Sequence, residues 1–261
     1  MPAACGGPRR QQLRGGLDLN GNNRIGDAGV AVLVGCLAGC KLKLLRLGGV
    51  GLGLPGCRAL SRGIKDSCVE ELVVGGNAAI GDAGVAALAV CLAECKLKSL
   101  HLNYVGLGAG GCRALMQHLA FTCVELLNLI GNLAIGDAGV EAVAERLTDC
   151  GLTCLRLGDV GLGEAGCRML VQGILGSCVE TVSWGNRAIR GEGAEALRAA
   201  CAVRDELRVF GNHDGFSRHP VAREPPCAAD VVVVVDVVFL CGILPWLVAH
   251  PVFLYSGSGQ Q

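Results

Sequence analysis

The sequence predicts an α/β solenoid of about eight strand-helix units, and three observations predict it. Superposing the chain on itself gives one strong period, with Leu17, Leu72, Leu127 and Val182 standing 55 residues apart. Each period holds two related halves, because Leu45, Leu100 and Leu155 repeat at the same interval, 28 residues after their predecessors. Inside each half an alternating Leu-x-Leu run, suited to a strand with one buried face, gives way to apolar residues at helical spacing. Val30, Leu33 and Leu37 are one such set, and Cys57, Leu60 and Ile64 another.

The elements follow in order. Residues 1–13 read as an amino-terminal tail and 14–213 as the repeat domain. The first kind of half runs Leu17-Asp-Leu19-Asn-Gly-Asn22-Asn-Arg-Ile25-Gly-Asp27, and it returns near Asn77, Asn132 and, one residue shorter, Asn186. The second kind runs Leu42-Lys-Leu-Leu45-Arg-Leu47-Gly-Gly-Val50-Gly-Leu52, and it returns through Val105 and Val160. A worn copy, Leu207-Arg-Val209-Phe-Gly-Asn212, closes the array. Asp27, Asp82 and Asp137 sit where a helix begins, so their carboxylates are placed to accept unpaired backbone N–H groups at the positive end of the helix dipole. Pro55 suits a first helical turn for a related reason, since its missing N–H has no partner to lose there.

These lines match the pattern L-x-x-L-x-L-x-x-N/C-x-L, and the chain over about residues 14 to 215 resembles the leucine-rich repeats of the ribonuclease-inhibitor subfamily, also found in NOD-like receptors. The resemblance implies a horseshoe arc in which Asn22, Asn77, Asn132 and Asn186 turn inward and hydrogen-bond the bending backbone. Two departures stand out. The Asn-bearing halves place two residues before the next apolar position, as in Asn77-Ala-Ala-Ile80, and the second halves carry Val where the family has Asn or Cys.

Strands spaced about 4.8 Å apart beside helices about 10 Å wide force the helical side to splay, which leaves the strands on a concave face roughly 38 Å long. That length suits a protein segment better than a metabolite. The expected function is a protein-protein interaction scaffold or recognition module, not an enzyme, needing no cofactor and no metal. A central row of outward residues reads Asp18, Arg46, Val73, His101, Asn128, Arg156, Ser183 and Arg208, and a flanking row Asn20, Gly48, Gly75, Asn103, Ile130, Gly158 and Phe210. Within them the candidate partner-binding residues are Asp18, Arg46, His101, Asn128, Arg156, Arg208 and Phe210, because arginine and aromatic side chains dominate protein contacts.

Two other functions compete with this reading. A G-x-G-x-x-G string at Gly51/Gly53/Gly56, between strand and helix, is the setting of a nucleotide fingerprint. It recurs at Gly106/Gly108/Gly111 and Gly161/Gly163/Gly166, and three copies in one phase suit a structural turn better than a single pyrophosphate site. The family resemblance also permits direct inhibition of a hydrolase. Cysteine pairs Cys36/Cys40 and Cys91/Cys95 have helical i, i+4 spacing but lack a second pair to complete a zinc site. Cys57, Cys112 and Cys167 share one phase and Cys68, Cys123 and Cys178 another, so both sets read as small buried apolar residues. His213, His219 and Cys227 follow no metal spacing.

Equal numbers of basic and acidic residues, 23 of each, offer no field for nucleic acid. Sixteen cysteines without an apolar leader or an Asn-x-Ser/Thr acceptor fit free thiols in a cytoplasmic protein. The Gly-rich start offers no polar cap, which points to an incomplete amino terminus or an edge covered by a partner. Residues 214–230 read as a linker and 256–261 as a tail. Between them 231–255 is hydrophobic, with only Asp236 and His250 ionisable, and spans about 37 Å as a helix, enough to anchor the repeats to a membrane. A tail packed on the last repeat and, from the low complexity of Val231–Val235, a spurious translated end are the alternatives.

Overall fold

A computed structural model describes residues 14–37, 40–120, 122–185, 192–203, 207–210 and 232–234. The order is β1 (Arg14–Asp18), α1 (Gly26–Leu37), β2 (Lys41–Arg46), α2 (Leu54–Ile64), β3 (Glu71–Val73), α3 (Gly81–Ala89), β4 (Ser99–His101) and α4 (Ala109–Leu119). It continues with β5 (Leu126–Asn128), α5 (Gly136–Ala144), β6 (Cys154–Arg156), α6 (Glu164–Leu175), β7 (Thr181–Ser183), α7 (Glu192–Val203), β8 (Arg208–Phe210) and β9 (Val232–Val234). Strand and helix alternate through seven units, and β8 opens an eighth.

All the strands run parallel in one sheet, and β1 to β8 lie in sequence order. Leu17, Leu45, Leu72, Leu100, Leu127, Leu155 and Val182 pair rung by rung, as the repeat phase requires. β3, β4, β6 and β7 show the half-buried, buried, half-buried alternation of a sheet with one covered face. Each helix from α1 to α6 packs on its successor, so every unit shields its neighbour's apolar flank. Pro55 lies in the first turn of α2, and Cys57, Leu60 and Ile64 face inward from that helix.

One core runs the length of the array, built of leucine, valine and cysteine. Trp184 fills in β7's unit the inward position held elsewhere by Leu47, Val74, Leu102, Leu129 and Leu157. Val50, Val105 and Val160 are fully buried, so the second kind of unit replaces an inward amide with an inward hydrocarbon.

The expected linker 214–230 and both expected tails lie outside the described residues. Of the hydrophobic segment 231–255 only Val232–Val234 is described, and there the structure differs from the expectation. These valines form a strand beside β1, with Val233 opposite Leu17, rather than part of a membrane-crossing helix or a tail on the last repeat. β-Branched side chains favour that extended conformation. Among the described residues no helix is long and apolar enough to cross a membrane.

Candidate functional site

The strand face opposite the core is organised by register. Asp18, Arg46, Val73, His101, Asn128, Arg156 and Ser183 occupy one row of paired positions. The last rung corrects the sequence alignment, for Phe210 pairs with Ser183 and Arg208 with Thr181. Phe210 therefore belongs to the central row and Arg208 to the row of Leu44, Glu71, Ser99, Leu126, Cys154 and Thr181. Leu207 and Val209 are both apolar and two residues apart, and a two-residue slip preserves the alternation that fixes a strand's faces.

Charges on this face are largely matched across rungs. Arg46 Nη1 lies 3.4 Å from Asp18 Oδ2. His101 Nε2 lies 3.9 Å from Glu71 Oε1, and its Nδ1 is 3.4 Å from Asn128 Nδ2. Glu71, which the sequence reading passed over, thus reaches His101 of the central row from the row of Leu44 and Ser99, where repeat phase places it. Along the strand starts, Glu70 bridges Lys43 at 3.0 Å and Lys98 at 3.6 Å, and the Lys43 ammonium is the main cause holding its carboxyl below the usual range. Exposed pairs of this kind contribute about 0–1 kcal/mol each and serve mainly to set charge pattern.

Two inward polar devices hold the face in shape. Asn77 Oδ1 accepts N–H bonds from Gly51 and Leu52 at 3.0 Å each, and its Nδ2 donates to Leu47 O at 2.8 Å and Val74 O at 2.7 Å. Asn132 repeats this with Val105 and Leu107 N–H and with Leu102 and Leu129 carbonyls. Asn22 donates to Leu19 O at 3.0 Å, and Asn186 lies outside the described residues.

The aspartates cap helices, but not their own. Asp27 Oδ1 accepts from Gly53 N–H at 2.7 Å and Gly56 N–H at 3.0 Å, at the start of α2 in the next unit. Asp82 takes Gly108 N–H and Asp137 takes Gly163 N–H, each at 2.6 Å, at the starts of α4 and α6. The glycine strings follow from this contact. A β-carbon at Gly56, Gly111 or Gly166 would stand about 2.5 Å from the incoming carboxylate oxygen. Gly51, Gly106 and Gly161 hold φ of 78°, 73° and 74°, with the preceding unit's carbonyl oxygen where a β-carbon would be. The anion that a nucleotide fingerprint reserves for a phosphate is here a side chain of the same protein.

A family model described as Leucine Rich repeat matches residues 17–34 and 65–89. The ribonuclease inhibitor of Sus scrofa is 34% identical over 155 residues, which is 57% of this chain and 34% of that protein. NACHT, LRR and PYD domains-containing protein 3 of Mus musculus is 34% identical over 161 residues, 59% of this chain and 15% of that protein. The chain is a leucine-rich-repeat protein of the ribonuclease-inhibitor-like type. Its match spans about a third of the length of the ribonuclease inhibitors.

The thiols of this leucine-rich-repeat array divide by phase. Cys57, Cys112 and Cys167 are fully buried, and burial, with Asp27, Asp82 or Asp137 nearby, pushes each thiol up to about 12. Cys68 is only half-buried and Cys123 and Cys178 are exposed, against the expectation that both phases face inward. That second phase falls in the loop leading into a strand, where water reaches the chain. The Cys91 thiol donates to Leu88 O and the Cys95 thiol to Leu92 O, and the proximity of the two sulfurs lowers Cys91 to about 7 and raises Cys95. Among the described residues no group of three or more His, Cys, Asp or Glu is placed to hold a metal ion, and His213, His219 and Cys227 lie outside them.

Proposed function

We propose that this chain is a protein-docking module whose partner lies across the strand face formed by β1 to β8. Leucine-rich repeats of this type are recognition modules in general, and the finer assignment to this face rests on one observation. The inward row is nearly uniform leucine and valine, while the outward row in the same register changes chemistry at every rung, from Asp18 and Arg46 to Val73, His101, Asn128, Arg156 and Ser183. A scaffold needs only the first row. A recognition surface needs the second.

Affinity capture tests this with the wild-type chain, an Arg46→Glu/Arg156→Glu variant, and Arg58→Glu as a control on the exposed side of α2. A stoichiometric protein retained by wild type and control but lost by the double variant is the expected result, and no partner sensitive to that reversal would overturn the reading. The ribonuclease inhibitors among the relatives favour a second, narrower version, in which the partner is a hydrolase. Titrating the chain into a pancreatic-type ribonuclease assay decides it: stoichiometric loss of activity supports it and full activity at excess chain rejects it. Neither version involves a nucleic acid, a nucleotide cofactor or a metal.

A further inference from the structure

We propose that the loops following β3, β4 and β5 form an apolar docking platform centred on Tyr104, which receives an uncharged aliphatic or aromatic segment of a partner protein. This deepens the docking-module reading and rests on it. The first observation is backbone geometry. Gly49, Tyr104 and Asp159 stand in one phase, 55 residues apart, with φ of 62°, 55° and 49°. The left-handed region is natural for glycine and unfavourable for a tyrosine, so packing of the fold does not account for the aromatic there.

The second observation is where the ring goes. It lies across Gly131, occupying the space a β-carbon would take, and Tyr104 N–H donates to Ile130 O at 2.9 Å. The ring is thereby held in place yet stays 54% exposed. Beside it in the next unit Leu133 is 70% exposed and Ile130 is half-buried, with its side chain leaning toward Gly158. Tyr104, Ile130 and Leu133 are thus the large apolar side chains that these neighbouring loops leave at least partly exposed, and the loops add Gly76, Ala78, Ala79, Gly106, Gly108 and Ala134, with the Asn103 amide as the partly exposed polar side chain beside the ring.

Charge selects the occupant. Residues 76–79, 103–108 and 130–135 contain no Asp, Glu, Lys, Arg or His, whereas the next loop on one side carries Asp159 and, two loops away on the other, the loop after β1 carries Arg24. Asp82 and Asp137, at the helix starts behind this stretch, are spent on the Gly108 and Gly163 amides. A charged partner group pressed here would lose water and meet no counter-charge, while an apolar one loses nothing. Three rungs at about 4.8 Å give a platform roughly 10–15 Å wide, the width of a single chain segment.

The test selects binders from a phage-displayed library of random peptides against the full chain, then measures the binders on variants. Tyr104→Gly suits the backbone at this position, so it removes the ring without threatening the fold, and Leu133→Ala trims the other exposed anchor. Selected peptides rich in aliphatic and aromatic residues and poor in charge, weakened about tenfold or more by either variant and unaffected by Arg46→Glu/Arg156→Glu, are the expected result. Binders that depend on Arg46 and Arg156 but not on Tyr104 would overturn this inference and leave the docking-module reading standing. A library that yields no binder would count against both. If sedimentation shows the wild-type chain pairing with itself through Tyr104, the occupant is a second copy and the heterologous partner proposed here is wrong.

Discussion

Asp27, Asp82 and Asp137 each cap the start of a helix that belongs to the following unit, and Asn77 and Asn132 each reach back to the preceding one. The same short stretch of chain therefore ties three consecutive units by single side chains. Removing one cap, as in Asp137→Ala, is expected to cost about 1 kcal/mol, read as a lowered urea midpoint at unchanged slope. Asn132→Ala should cost more, on the order of 4 kcal/mol, because two buried N–H groups and two carbonyls lose their partner together. Tyr104→Gly runs the other way and should not lower the midpoint, since it relieves a left-handed residue that contributes mostly surface. The asparagines could be read from phase alone. The true recipients of the aspartates could not, because Asp27 and Gly53 are 26 residues apart and only the lateral stacking of helices brings them together.

At the level of elements, strand and helix spacing was legible because the two periodicities differ and the core row tolerates only leucine, valine and their like. The last strand was not, since Leu207 and Val209 offer two equivalent registers and only the ladder chooses between them. Helix burial leads to a test with thiol reagents. The second helices α2, α4 and α6 carry Cys57, Cys112 and Cys167 in the core, so these thiols should resist alkylation in the folded protein at pH 8, while Cys36, Cys123 and Cys178 react at once. Mass spectrometry of alkylated peptides distinguishes the sets. Because burial raises the three inner thiols, they stay protonated in the folded chain while the unfolded chain ionises above about pH 8.5. The unfolded state then binds fewer protons, and stability should fall as pH rises from about 9 toward 12. Urea midpoints taken on either side of pH 9 check the sign.

Across the whole molecule, the two kinds of unit are not interchangeable. One kind supplies the inward amide and the capping carboxylate, and the other supplies the glycines that receive the cap. Excising residues 73–127 removes one full period and joins Leu72 to Asn128 in the phase that Leu127 held. The shortened chain is expected to melt as one cooperative transition by circular dichroism. Excising 73–100 removes a single unit, sets two units of the second kind side by side and deletes Asp82 and Asn77. That chain should lose cooperativity and helix content.

The clasp between a carboxylate and the next helix thus gives the array a parity. Growth or shrinkage that respects it must proceed by twos, so the length of the arc is quantised in pairs, and with it the size of any ligand the arc can embrace.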